Sequence, residues 1–384
     1  MYLDIFYALS GIGFGTIFGF LSGLVPSLHI NQLLPFMARL GPTELYFCVL
    51  FASILFACLS FVPAYFFMIP SESNYASTFP GQEFFQKGKA YFALKISLYG
   101  ILFSTIFSAP FVFVLYFYSK QIVSIYPYII VPILGFCLLF LIVKKLKNIF
   151  SIVVILLSGA LGYVCLRTEM VQNPLFILVG GLFGLSASIY LLKQKHKWVQ
   201  QTTKTEKIPG LIKNGVFSNL LSLFVTFFPG LGSGFAAVIG NELKLIKDKI
   251  GYFQIIGGIS ISVMIFSFLN IYFTGKARTG SAYYLPLQIP WYYTYIFAII
   301  FVVICVFIAL AVGKLFVKIG NKIGDKAKYV VPIILFVLAA ITTNWFGILV
   351  FILCGLTGYI CIISNNSRTL MMVSIIFPVL LFFI

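Results

Sequence analysis

Charge is scarce in this chain. Only 9% of its 384 residues are Asp, Glu, Lys or Arg, and acidic residues number nine. A water-facing domain carries roughly a quarter charged residues, so too little polar side chain is present to cover a soluble surface. That excludes an ordinary soluble enzyme, a disordered protein and a coiled coil. Histidine occurs twice, at His29 and in the polar segment at His196, which argues against a metal site. The seven cysteines lie mostly in apolar runs, as at Cys48, Cys58, Cys137, Cys305 and Cys354, and no pair is spaced CxxC. Structural disulfides and a cysteine zinc site are therefore not expected. Gly11-Ile12-Gly13-Phe14-Gly15 lacks the strand, turn and lysine of an ATP phosphate loop. The first apolar run has no basic stretch before it and no small-residue cleavage site, so it does not read as a removable signal peptide.

What is present is hydrophobic, at 61% of residues. Apolar runs fall near 5–26, 43–69, 91–119, 125–143, 148–166, 173–192, 215–240, 252–274, 289–313, 329–343, 345–364 and 368–384. About 20 residues of helix cross the hydrocarbon layer, so the chain reads as an all-α, polytopic integral membrane protein. The net charge of +17 suggests a nucleic-acid partner at first sight. The lysines, however, sit in short segments between apolar runs, where the positive-inside rule puts them. Membrane lipid is the expected surrounding and nucleic acid is not a partner. Segment 193–214 carries six lysines and one glutamate. It reads as a cytoplasmic linker between a first membrane repeat, 1–192, and a second, 215–384.

The halves repeat each other. ILLSGALGYVCL at 155–166 parallels FILCGLTGYICI at 351–362, matching Gly159 with Gly355 and Gly162 with Gly358. VPI recurs at 131–133 and 331–333, and GFLSGLVPSLHIN at 19–31 parallels SLFVTFFPGLGSG at 222–234. The lysine-rich loops 144–147 and 314–328 have partners with one lysine or none, so equivalent loops face opposite sides of the membrane. That is an inverted-topology repeat, a common plan of secondary transporters. An odd number of crossings per half then places both termini outside.

Helix breaks are expected at Pro26, Pro70, Pro229 and Gly275. Proline removes a backbone donor and clashes with the preceding turn, and freed backbone groups at membrane depth need protein or a wet cavity. Polar residues cluster there. Lys276, Arg278, Thr279 and Ser281 follow Gly275; His29 and Asn31 follow Pro26; Gly230, Gly232 and Ser233 follow Pro229. Lys276 and Arg278 would attract an anion, with Arg278 offering two parallel hydrogen bonds to a carboxylate or phosphate. The amides of 230–234 would add a helix-end anion nest. Ser71, Glu72, Ser73 and Asn74 follow Pro70 and form the candidate ion-coupling set, for H+ through Glu72 or for Na+ through neutral oxygens. No cofactor and no catalytic group is expected, so the chain reads as a transporter rather than an enzyme.

The segments GTIFGFLSGLVPSLHINQLLP (15–35), FPGQEFFQKGKAYFALKIS (79–97), FFPGLGSGFAAVIG (227–240) and FTGKARTGSA (273–282) resemble the TctA family of membrane permeases, in its shorter archaeal branch. The resemblance spans both halves. It implies a permease in the cytoplasmic membrane taking up a small organic anion such as a carboxylate. It also implies a small membrane subunit and an extracytoplasmic solute receptor as partners, with a homodimer a further expectation. The chain departs from the family pattern where Val25-Pro26-Ser27 replaces the usual Pro-Gly. A more distant likeness to translocases of polyprenyl-phosphate carriers makes a lipid-linked anion the alternative. A structural or insertion factor is the non-transport alternative.

Overall fold

The computed structural model describes residues 5–25, 28–67, 74–146, 148–193, 198–227, 236–237, 240, 246 and 248–384. Pro26, Pro70, Ser71, Glu72, Ser73, Pro229, Gly230, Gly232 and Ser233 lie outside the described residues. The described chain is all-helical: α1 Ile5–Leu24, α2 Ile30–Met37, α3 Pro42–Leu59, α4 Phe61–Phe66, α5 Tyr75–Gln86, α6 Ala90–Ile106, α7 Ala109–Lys145 and α8 Ile149–Arg167. After these come α9 Pro174–Val179, a π-helical turn Gly180–Leu185, α10 Ser186–Lys193, α11 Leu211–Phe227, α12 Lys249–Thr274 and α13 Gly280–Tyr283. The chain finishes with α14 Trp291–Ile323, α15 Ala327–Thr342, α16 Trp345–Ile363 and α17 Val373–Phe383. Among the described residues six helices are long and apolar enough to span a membrane, and α6 with α7 forms a seventh candidate bent by 59°.

Two expectations are corrected. The runs 91–119 and 125–143 are not separate spans: α7 continues through residues 120–127, and the break falls at Phe107–Ser108 instead. Pro110 explains the position, because proline fits the first turn of a helix, where its missing N–H costs nothing. The lysine-rich stretch from 314 is not a loop either. It stays helical to Ile323, after which Gly324, at φ 57°, ends the helix.

Contacts fix the helix directions. A Cβ on Gly11 would lie 2.5 Å from the Glu44 carbonyl oxygen, and one on Gly23 would lie 2.6 Å from the Leu59 Cβ. The four-residue glycine stripe therefore lets α1 lie against α3, running the same way. In the other half Asn214 meets Gln254, and Ser218 meets Gly258, so α11 and α12 also run parallel. The two pairs are opposed. Phe47 packs on Phe297 and Phe66 on Phe316, making α3–α4 parallel to α14. Gly313 packs on Leu94, and Tyr295 bonds Ser108 at 2.8 Å, making α6 antiparallel to α14. Ser97 meets Gly257 and Ser104 bonds Ser262 at 2.7 Å, making α6 parallel to α12. Hence α1–α3 runs opposite to α11–α12, the relation that an inverted repeat demands.

The matched glycines behave alike. A Cβ on Gly162 would lie 1.9 Å from the Ser374 carbonyl oxygen, and one on Gly358 would lie 2.1 Å from that of Leu182. Each lets its helix touch a backbone contributed by the other half: α8 against α17, α16 against the π-helical turn. The ends of the repeats are thus exchanged, which ties the halves together.

The linker forms a strap from Trp198 onward. Gln201 N donates to Asn321 Oδ1 at 2.8 Å, while Asn321 Nδ2 donates to the Gln201 carbonyl at 2.9 Å. Thr202 N donates to the Gly88 carbonyl at 2.9 Å, and Glu206 pairs with Lys89. The strap therefore joins the α5–α6 turn of the first half to the end of α14 in the second. The bundle end that carries it is called the linker end below.

Candidate functional site

The site is built where helices end. α1 ends at Leu24 and α2 starts at Ile30, on either side of the expected break at Pro26. His29 caps α2, its Nδ1 accepting from Asn31 N at 3.2 Å, and its ring stands edge-on to Phe56 at 4.9 Å. With Nδ1 an acceptor, the neutral imidazole carries its proton on Nε2. α11 ends at Phe227 in the other half, just before the expected break at Pro229.

The chain after α12 folds back into the protein. Gly275 has φ 70°, a left-handed conformation that glycine adopts without a Cβ clash, and it ends the helix. Asn270 Nδ2 then holds the Lys276 carbonyl at 2.9 Å. Ser267 Oγ accepts from both Arg278 N and Thr279 N, each at 2.9 Å, and lies 2.9 Å from Thr279 Oγ1. Ser267 stands seven residues before the end of α12, so residues 278–279 have returned about 10 Å along its axis. A hydroxyl has two acceptor sites and one proton. The two amides fill the acceptor sites of Ser267, so its proton goes to Thr279 Oγ1. The hydroxyl proton of Thr279 is then left to donate elsewhere.

This fold-back brings the two halves' breaks together. Arg278 Nη1 donates to the Val225 carbonyl at 2.7 Å, near the end of α11. Gly280 abuts Asn31 so closely that a Cβ there would lie 3.0 Å from the Asn31 amide carbon. Ser281 is fully buried, and its hydroxyl has no hydrogen-bond partner among the described residues. Asn270 Oδ1 is likewise buried without a partner among them. The Arg278 guanidinium is the charged group of the cluster, with the Thr279 hydroxyl, the Asn31 amide and the Asn270 Oδ1 acceptor around it, and that positive charge suits an anion.

The expected residues are sorted by this geometry. Arg278, Thr279, Ser281, His29 and Asn31 belong to one region. Lys276 is exposed and contributes its backbone carbonyl. Asn74 is fully buried and donates to the Ser60 carbonyl at 2.7 Å, tying the start of α5 to the α3–α4 junction. Sequence reasoning missed Ser267 and Asn270. Their signal was present: two polar residues at i, i+3 within an apolar run mark one helix face. No pattern could have shown that Val225 offers its carbonyl to Arg278.

Arg368 opens the last apolar run. It donates to the Phe183 carbonyl at 2.6 Å and to Ser186 Oγ at 3.1 Å, across the π-helical turn. A π-helical turn leaves carbonyls out of the normal ladder, and Arg368 satisfies one of them.

Comparison with known proteins agrees with the segments quoted above. Residues 5–373 match the Tripartite tricarboxylate transporter TctA family. An uncharacterized protein of Methanocaldococcus jannaschii is 24% identical over 289 residues, covering 73% of this chain and 72% of that one. No solved structure matches the chain.

Proposed function

This chain belongs to the tripartite tricarboxylate transporter TctA family, and from that premise we propose that it is a permease moving a small carboxylate across the cytoplasmic membrane, coupled to H+ or Na+. One observation carries the choice of an anion: the half-buried fold-back sets Arg278 against the end of α11 while Gly280 meets Asn31 beside the first break. A cation placed between the breaks of two opposed helix pairs fits a substrate that approaches from either face in turn. In this reading Arg278 and Thr279 contact the carboxylate, and His29 and Asn31 close the site from the other half. The tripartite arrangement extends here as a small membrane subunit and an extracytoplasmic solute receptor, with the linker on the cytoplasmic side.

Uptake into proteoliposomes tests this. A panel of di- and tricarboxylates is offered under imposed proton or sodium gradients, with wild type beside Arg278→Ala, Arg278→Lys and Lys276→Ala. A charge-assisted hydrogen bond contributes about 1.5–3 kcal/mol, so Arg278→Ala should weaken binding about tenfold or more. Arg278→Lys should rescue in part, since it keeps charge without the fork. Lys276→Ala should change little. Saturable uptake of a carboxylate with that ranking supports the proposal. Absence of uptake across the panel, or wild-type binding by folded Arg278→Ala, overturns it; movement of a polyprenyl phosphate instead would transfer the site to the lipid-linked class.

A further inference from the structure

α14 is longer than a membrane is thick. It opens with Trp291, Tyr292 and Tyr293, residues that settle at a membrane interface. The next charged residue is Lys314, 23 positions on, about 35 Å along the helix. The hydrocarbon layer is about 30 Å thick, so Lys314 emerges at its other edge, at the linker end. From there the helix continues with Lys318 and Lys322, and Lys326 follows in the next turn; all four are exposed.

These lysines form a ladder with defined borders. At about 100° per residue, Lys314, Lys318 and Lys322 share an arc of roughly 80°. On one side lies the buried line Gly313, Val317 and Gly320, which packs on Leu94 and on Trp198 of the strap. On the other side Leu315 and Ile319 are 52% and 42% exposed, facing outward where lipid lies. The ladder therefore stands where lipid meets protein, at headgroup depth. The described ion pairs join Lys89 to Glu206 and Lys249 to Glu83, not these lysines. Asp325, the acid nearest in sequence, accepts the amide of Trp198.

We propose that the α14 ladder binds anionic phospholipid headgroups of the leaflet at the linker end. The lysine stems lie along the helix beside Leu315 and Ile319 while their ammonium groups reach phosphate, the usual arrangement for a long cation at an interface. The bound headgroups fix the end of α14 to which the strap is tied through Asn321 and Gly320. Each basic residue near an anionic surface adds roughly a fivefold preference, so three add about a hundredfold. This inference is independent of what the protein carries.

The test uses the full chain in nanodiscs of phosphatidylcholine with a graded fraction of phosphatidylglycerol. The readouts are phosphatidylglycerol retained in native mass spectrometry and the melting temperature. Wild type should retain the anionic lipid and melt higher as its fraction rises. The triple variant Lys314→Gln, Lys318→Gln, Lys322→Gln should lose about a hundredfold in preference, and the corresponding triple arginine variant should keep it. Lys204→Gln, Lys207→Gln, Lys213→Gln removes the same charge from the strap and the first turn of α11, off the ladder, and should lose clearly less than the ladder triple. Should the ladder triple fail to fold, Lys318→Gln alone should lose roughly fivefold. An unchanged preference in the ladder variants overturns the proposal. Equal loss in the control triple also overturns it, by assigning the effect to net charge.

Discussion

Replacing Ser267 by alanine should uncouple the α12 fold-back from its ligand. The Ser267 hydroxyl is the acceptor for Arg278 N and Thr279 N, at 2.9 Å each. Alanine leaves both amides without it, and a buried amide lacking a partner costs about 1–3 kcal/mol. Arg278 and Thr279 are only half-buried, so the lower end applies to each and the sum is about 2 kcal/mol. That cost falls on the conformation that aims Arg278 at the α11 end, and the apparent affinity falls with its population. Binding of the carboxylate taken up best in the proteoliposome panel should weaken by up to about thirtyfold. Ser267→Thr keeps the acceptor and should stay within a few-fold of wild type. Calorimetric titration of Ser267→Ala, Arg278→Ala and the double variant completes the test. The losses should not add, because Ser267 acts through Arg278. Additive losses, or wild-type affinity in a folded Ser267→Ala protein, would refute the positioning role.

Other expectations follow from the packing. Gly162→Leu and Gly358→Leu should each destabilise the purified protein by about 3 kcal/mol or more, since the new side chain meets backbone rather than a movable side chain; Gly13→Leu, where a Cβ has open space, should be close to neutral in the same melting assay. Asn219→Leu should cost about 1–3 kcal/mol in thermal stability, because Asn219 serves the Ser104 carbonyl at 2.8 Å and Ser262 Oγ at 2.8 Å where α6, α11 and α12 cross. Asn321→Ala should free the strap, measured as faster amide exchange at Gln201 and Thr202, with no change at the Ser267 fold-back. Impermeant thiol labelling of Thr203→Cys in intact and lysed cells should place the strap in the cytoplasm, with labelling only after lysis.

Composition determined the membrane class. With so few charged residues no arrangement could cover the chain with polar surface, and the apolar runs had the length of a bilayer. Glycine spacing determined close helix contacts: the stripe from Gly11 to Gly23 lies against α3, on backbone at Glu44 and Cys48 and on the Leu55 and Leu59 side chains, and Gly162 with Gly358 carried the repeat into matching contacts. Lysine placement pointed to opposed halves, and the helix directions agree. Arg278, Thr279, Ser281, His29 and Asn31 were legible as candidates because polar groups beside helix breaks have few other reasons to be there. Tertiary structure alone decided the rest. Hydropathy reads a run residue by residue and is blind to the Phe107–Ser108 bend, because α7 stays helical through its polar centre by satisfying its own backbone. Lys276 and Arg278 are two positions apart, yet one is exposed and the other reaches Val225. That difference is set by the return of the chain onto Ser267, a contact between backbone amides and one hydroxyl. Every residue but proline presents the same backbone amide and carbonyl, so no pattern of side chains records where the chain turns back to meet itself.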